Sequence, residues 1–211
     1  MGRAAFFIRT FGCPLHCPWC DSAGTWHPDY VPSNILRVEH SLLAEEAEAS
    51  NTEFVVVTGG EPCVHDLRPL TRALKERNCK VHLETSGAYP IRGDFDWVTV
   101  SPKDSKPVLP ECINAASELK LIIECGADIG RWLNVVVPMM PRVGQTPIWL
   151  HPEWSQHCNP ELLRSISRAV LNFPGIGLRA GWQLHKLYRC DALDNRSAQP
   201  VPLGGNPQLG Y

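Results

Sequence analysis

Cys13, Cys17 and Cys20 stand together in the stretch C-P-L-H-C-P-W-C, a C-x₃-C-x₂-C spacing. A [4Fe–4S] cluster takes up to four thiolates. Three thiolates leave one iron open to a small molecule. Structural zinc takes four ligands, usually as two C-x₂-C-type pairs, and no partner pair follows here. A zinc knuckle or three unrelated thiols is the bland alternative.

Other residues with chemical potential come in short groups. Thr58-Gly59-Gly60-Glu61-Pro62 combines two glycines, which allow close backbone approach, with a carboxylate. Glu84-Thr85-Ser86-Gly87 and Ser101-Pro102-Lys103 are further polar turns, each readable as an ordinary strand-to-loop turn. Arg9, four residues before Cys13, suggests a buried guanidinium that grips a carboxylate through two bonds; a surface Arg is the bland alternative. Gln183 and His185 in Q-L-H-K share a face if that stretch is extended. The remaining cysteines, Cys63, Cys79, Cys112, Cys125, Cys158 and Cys190, lack ligand spacing and read as buried, inert thiols. His151 and His157 read as polar loop residues.

These groups need elements to position them. Residues 4–8, 53–57, 80–84, 97–100, 118–123, 133–137, 147–150 and 176–179 read as strands, the second from its β-branched run. Residues 34–49 fit a helix capped by Ser33. Asp66 caps a second helix that aligns Leu67, Leu70 and Leu74. Asn159-Pro160 starts a third, whose apolar residues keep a 3.6-residue period up to Pro174-Gly175. Strands alternating with helices imply a parallel sheet with right-handed crossovers. Their number and the short helices suggest an α/β fold, an incomplete (β/α) barrel in a single domain over residues 1–190. A loose tail is expected over 191–211. In such barrels chemistry collects at the C-terminal ends of the strands. The cysteine loop, T-G-G-E-P, E-T-S-G and S-P-K each follow a strand, so all fall on that one edge.

Composition agrees with a soluble domain. Apolar residues make up 44% and charged residues 20% of the 211 positions, and the net charge is −2 without a basic block. Binding to nucleic acid or to an anionic membrane is therefore not expected. No apolar run reaches membrane-spanning length. Nine cysteines, an odd number in a chain of this size, suit a reducing cytoplasm better than a disulfide framework.

The order R-T-F-G-C-P-L-H-C-P-W-C-D-S, T-G-G-E-P, L-E-T-S-G, V-S-P-K, E-L-K-L-I-I and Q-L-H-K resembles the radical S-adenosylmethionine (SAM) superfamily. Within it, the pattern resembles the 7-carboxy-7-deazaguanine synthase family over roughly residues 3–188. The resemblance implies that Cys13, Cys17 and Cys20 hold a [4Fe–4S] cluster whose open iron chelates SAM, and that one electron then releases a deoxyadenosyl radical. It implies conversion of 6-carboxy-5,6,7,8-tetrahydropterin to 7-carboxy-7-deazaguanine with loss of ammonia, a step in queuosine-type biosynthesis. It places Trp19, Cys20, Asp21, Gly59, Gly60, Glu61, Ser86, Ser101, Pro102 and Lys103 around SAM, with Glu61 pairing its ammonium group. It places Arg9, Thr58, Glu84, Gln183 and His185 at the substrate, and Mg²⁺ at Ser22, where the family carries threonine. An electron donor such as flavodoxin or ferredoxin, and a homodimer, belong to the same expectation. The family also carries a Q-G-E-G segment upstream of the matched stretch, and Q-P-M where this sequence has His151-Pro152-Glu153. A small radical SAM activase of a glycyl-radical enzyme shares the cysteine spacing, and a zinc-binding interaction module is the alternative of another class.

Overall fold

The computed structural model describes residues 2–31 and 35–188. Seven strands form one sheet: β1 Ala5–Thr10, β2 Phe54–Gly59, β3 Lys80–Thr85, β4 Trp97–Val100, β5 Glu118–Ile123, β6 Ile148–Pro152 and β7 Leu178–Ala180. Every pairing is parallel, and the strand order in space equals the order in the chain. The helices are α1 His40–Ala49, α2 Arg68–Glu76, α3 Pro110–Ala115, α4 Gly126–Val136, α5 Pro160–Asn172 and α6 Leu184–Tyr188.

One face of the sheet is dry. Val55, Val57, Val81, Leu83, Val98, Val100, Leu119, Leu121, Ile123, Ile148 and Leu150 alternate along the strands and form one core with the apolar faces of α1 to α5. Helices on a single face, with strands added always in the same direction, are the winding of an open (β/α) barrel. A doubly wound sheet would reverse its strand order. The residues between, at two-residue spacing, put Arg9, Thr58, His82, Glu84, Thr99, Glu118, Lys120, Trp149 and His151 on the opposite face, beside the apolar Phe7, Val56, Trp97 and Ile122. Across it, Glu118 accepts from Thr99 Oγ1 at 2.8 Å and from Trp149 Nε1 at 2.9 Å.

The structure departs from the expected elements in four places. Residues 133–137 lie in and just beyond α4 rather than in a strand. Cys125 and Asp128 form a reciprocal cap, with Asp128 accepting from the backbone N–H of Glu124 and Cys125 at 2.9 Å each. Ile129, Trp132, Leu133 and Val136 then bury one helical stripe, and this outweighs the β-branched run at Val135–Val137. Helix α1 begins at His40 and does not include the described residues 35–39: Glu39 is extended and Leu36 is 76% exposed, so that stretch has no buried face to support it. Ser33 lies outside the described residues, as does the expected tail. Asp66 does accept from the Arg68 N–H at 3.1 Å, although Leu67 is the residue flanking α2. The Q-L-H-K stretch is not extended. His185 and Lys186 lie in α6 and Gln183 precedes it.

Asn159 caps α5 as expected, accepting from the N–H groups of Glu161 and Leu162. Among the described residues no helix is long and apolar enough to cross a membrane.

Candidate active site

The cysteine loop is built largely by main-chain contacts. Gly12 N–H donates to Thr25 O, Gly60 N–H to Thr10 O and Glu61 N–H to Gly12 O, all at 2.9 Å. A side chain on Gly60 would stand 2.1 Å from the Gly12 carbonyl oxygen, and one on Gly59, at φ +118°, 2.3 Å from the Thr10 nitrogen. The glycine pair is therefore required by the loop itself, whatever it does for a ligand. Ala23 is fully buried under the loop, with Trp19 and Tyr30 packed against it.

Glu61 is not free to meet a ligand, contrary to the expectation that its carboxylate pairs with the SAM ammonium. It is 1% exposed. Oε1 accepts from Cys63 N–H at 3.0 Å and from Thr85 Oγ1, while Oε2 accepts from Ser86 N–H at 2.8 Å and from Ser86 Oγ. The carboxylate locks the turn after β2 to the turn after β3, and the Ser86 hydroxyl is committed to the same lock.

The three thiols sit part-buried above this platform. Burial raises all three thiol pKa values, Cys17 to about 11. Groups that favour thiolates surround them. Backbone N–H groups of Leu15 and His16 act on Cys13, and Lys103 on Cys17. Ser22 N–H and Trp26 Nε1–H both lie 3.4 Å from Cys20 Sγ. Among the described residues no three His, Cys, Asp or Glu side chains converge on one metal ion. A cuboidal cluster asks for something different, one thiolate on each of several irons, with N–H groups toward the sulfurs. The donor set fits that demand.

Lys103 reaches the loop from the S-P-K turn. Its Nζ donates to Ser101 O at 2.8 Å and Ser101 Oγ at 2.7 Å, and lies 5.3 Å from the Trp19 ring centroid. Ser101 and Pro102 are buried beneath it. Burial lowers the Lys103 pKa. Trp19 is held on its other edge by Glu124, which accepts from Nε1 at 3.0 Å.

Deeper on the polar face, Lys120 Nζ donates to Glu84 at 2.6 Å. The Lys120 charge holds the Glu84 carboxyl below its ordinary range. Against the cost of burial, Glu84 raises Lys120 in turn. Asp21, at the end of the cysteine loop, lies 3.6 Å from His185 Nε2 and 3.7 Å from Lys186 Nζ. Against its own burial, these partners hold Asp21 well below the usual carboxylate range. Ser22 Oγ is 3.4 Å from Asp21 Oδ1. The loop after β1 is thus tied to α6, at the far end of the sheet.

Cys13, Cys17, Cys20, Trp19, Asp21, Ser22, Lys103, Glu84 and His185 therefore gather on one edge. Thr58 joins them on the polar face, with its carbonyl accepting from Thr10 Oγ1 at 3.2 Å. Arg9 shares that face in register with Thr58 but is exposed rather than buried, because β1 is the edge strand. Gln183 Oε1 is buried without a hydrogen-bond partner, as are Trp182 Nε1 and His151 Nδ1. Cys63, Cys79 and Cys112 are buried thiols as expected, whereas Cys125 and Cys158 are exposed and Cys190 lies outside the described residues. His151 is not a loop residue. It lies on β6, is 6% exposed, and burial lowers its pKa to about 3.

Sequence reasoning missed Lys120, Lys186, Glu118 and the burial of His151. The signal for Lys120 and Glu118 was present in E-L-K-L-I-I, where the two charged residues alternate with Leu119 and Leu121. Such a strand has one dry face and one working face.

Residues 7–125 match the family model described as the Radical SAM superfamily. The chain is 42% identical over 153 residues to a 7-carboxy-7-deazaguanine synthase of Synechocystis sp., covering 72% of this chain and 70% of that protein. It is 37% identical over 186 residues to the 7-carboxy-7-deazaguanine synthase of Flavobacterium psychrophilum, covering 88% and 82%. The crystal structure of QueE from Escherichia coli superposes with a TM-score of 0.67 at 28% identity, covering 86% of each chain.

Proposed function

This chain belongs to the radical SAM superfamily and, within it, to the 7-carboxy-7-deazaguanine synthases, and on that premise we propose a role for each group of residues on its polar edge. The reaction is the conversion of 6-carboxy-5,6,7,8-tetrahydropterin to 7-carboxy-7-deazaguanine with loss of ammonia. When bound, the [4Fe–4S] cluster and SAM supply one-electron radical chemistry. Cys13, Cys17 and Cys20 hold the cluster, on a loop that Gly59 and Gly60 bring against β1 by backbone contact. Lys103, propped by Ser101 and Pro102, offers its ammonium to the SAM carboxylate. Trp19, fixed between Glu124 and Lys103, flanks the adenine.

The substrate's groups find complements deeper in. A pterin presents adjacent N–H donors, and a carboxylate accepts such a pair through both oxygens; Glu84 supplies one on the polar face. The substrate carboxylate needs a cation, and Arg9 supplies one, while Lys120 holds Glu84 ionised for the pterin edge. Thr58, Gln183 and His185 complete the wall. The orphaned Gln183 Oε1 supports this, since a buried acceptor without a partner is costly unless a ligand donates to it. Ser22 and neighbouring Asp21 suit Mg²⁺, which keeps several waters and binds through one or two protein oxygens plus substrate. A flavodoxin- or ferredoxin-type protein delivers the electron. The reducing cytoplasm suits the part-buried thiols. A homodimer belongs to the same reading.

The observation that carries this reading is the juxtaposition of the three thiols and Lys103 with the Glu84–Lys120 pair, on the sheet face opposite α1 to α5. Anaerobically reconstituted enzyme, given SAM, dithionite and carboxytetrahydropterin, is expected to form 7-carboxy-7-deazaguanine and ammonia, followed by mass spectrometry. Formation of deoxyadenosine without any deazapurine would overturn it.

A further inference from the structure

Trp26 has no place in the chemistry described so far, yet its position is tightly specified. Its backbone N–H donates to Ala23 O at 3.0 Å. Its indole is stacked on the His16 ring, with centroids 4.3 Å apart and planes 16° from parallel. The His27 ring meets its edge at 5.2 Å. His16 adopts φ +49°, in the left-handed region that costs an L-residue energy and that histidine enters more readily than most. That turn lies inside the C-P-L-H-C segment and carries the exposed His16 ring to Trp26.

The indole N–H is a donor with no acceptor capacity, and it lies 3.4 Å from Cys20 Sγ. Cys20 receives this side-chain N–H directly, whereas the Lys103 charge and backbone N–H groups act on Cys13 and Cys17. A second donor, the Ser22 N–H, meets the same sulfur at 3.4 Å. Donors aimed at a cluster sulfur stabilise whichever redox state carries more negative charge, and hydrogen bonds to sulfur are among the main determinants of cluster potential.

We infer that Trp26 is a positioning residue that acts through Cys20: its N–H, held on line by the His16 stack, raises the reduction potential of the bound cluster. The inference rests on the reading that Cys13, Cys17 and Cys20 are the ligands. It concerns only how readily the cluster accepts its electron, not substrate recognition.

The test is a redox titration of the reconstituted protein without SAM or substrate, following the electron paramagnetic resonance signal of the reduced cluster. Trp26→Phe keeps an apolar ring and loses the donor. Its cluster is expected to be about tenfold harder to reduce, a fall of about 59 mV for one electron, at unchanged iron content. His16→Ala, which frees the indole, is expected to lower the potential in the same direction by a smaller amount. If Trp26→Phe loads poorly, benzothienylalanine at position 26 keeps the indole outline without the N–H and decides the matter. A potential within about twofold in reduction equilibrium of wild type in the loaded donor-less protein overturns the inference and leaves the ligand assignment standing. A wild-type protein that binds no reducible cluster overturns both.

Discussion

Replacing Glu61 by glutamine separates two roles that its place in T-G-G-E-P allows. Each carboxylate oxygen faces one backbone N–H, Cys63 on Oε1 and Ser86 on Oε2. Glutamine has one carbonyl oxygen, so in either orientation its NH₂ group confronts a backbone N–H that cannot reverse. The hydroxyls of Thr85 and Ser86 can rotate to accept, but the opposed N–H pair cannot be relieved without moving a turn. An unpaired buried donor costs about 1–3 kcal/mol. Two such donors in one fully buried place put the loss near 3 kcal/mol. At roughly 2–4 °C per kcal/mol for a chain of this size, Glu61→Gln should melt about 6–12 °C below wild type. Thermal unfolding of the metal-free protein by circular dichroism reads this directly, and calorimetric titration with SAM on the reconstituted protein supplies the contrast. A Glu61→Gln protein that melts with wild type but binds SAM at least about tenfold more weakly (some 1.4 kcal/mol) would show that the carboxylate faces the ligand. The lock between the two turns would then be wrong.

Gly60→Ala should drive a methyl group into the Gly12 carbonyl, costing about 1–3 kcal/mol and lowering iron and sulfide bound per chain. Lys120→Met should leave Glu84 without its cation, and loss of a charge-assisted bond of about 1.5–3 kcal/mol should raise the KM for the pterin about 10- to 100-fold in steady-state assays. His151 binds a proton near pH 3 in the folded state against 6.5 ordinarily, so acidification through that window favours the unfolded chain. Urea titrations should show wild type losing about 2 kcal/mol more than His151→Gln between about pH 7 and pH 5; parallel losses would disprove the burial argument.

Much of the fold was readable because its signals are local. The β-branched run of β2 and the Asn159-Pro160 cap of α5 each announce themselves within a few residues. Helix α4 did not, since Val135–Val137 looks like strand until Asp128 is seen folding back on Cys125. The cysteine loop and S-P-K were legible for the same reason: their chemistry lies in residues close together in sequence. Glu84 with Lys120, and Asp21 with His185 and Lys186, were not. Those pairs exist only once strands β3 to β5 are in register and α6 has returned to the first loop. Glu61 was misread because a carboxylate beside two glycines invites a ligand, whereas its four donors come mostly from a turn that sequence cannot place beside it.

Strand order that follows chain order has a consequence for synthesis. As the polypeptide leaves the ribosome, each new strand meets its neighbour already waiting, so the sheet can grow by simple accretion. The His185 and Lys186 partners of Asp21 belong to α6 and emerge only after all seven strands. Until then the thiol-bearing loop lacks that tether to the far side of the molecule, which leaves an interval for iron–sulfur delivery before the last helix settles over it.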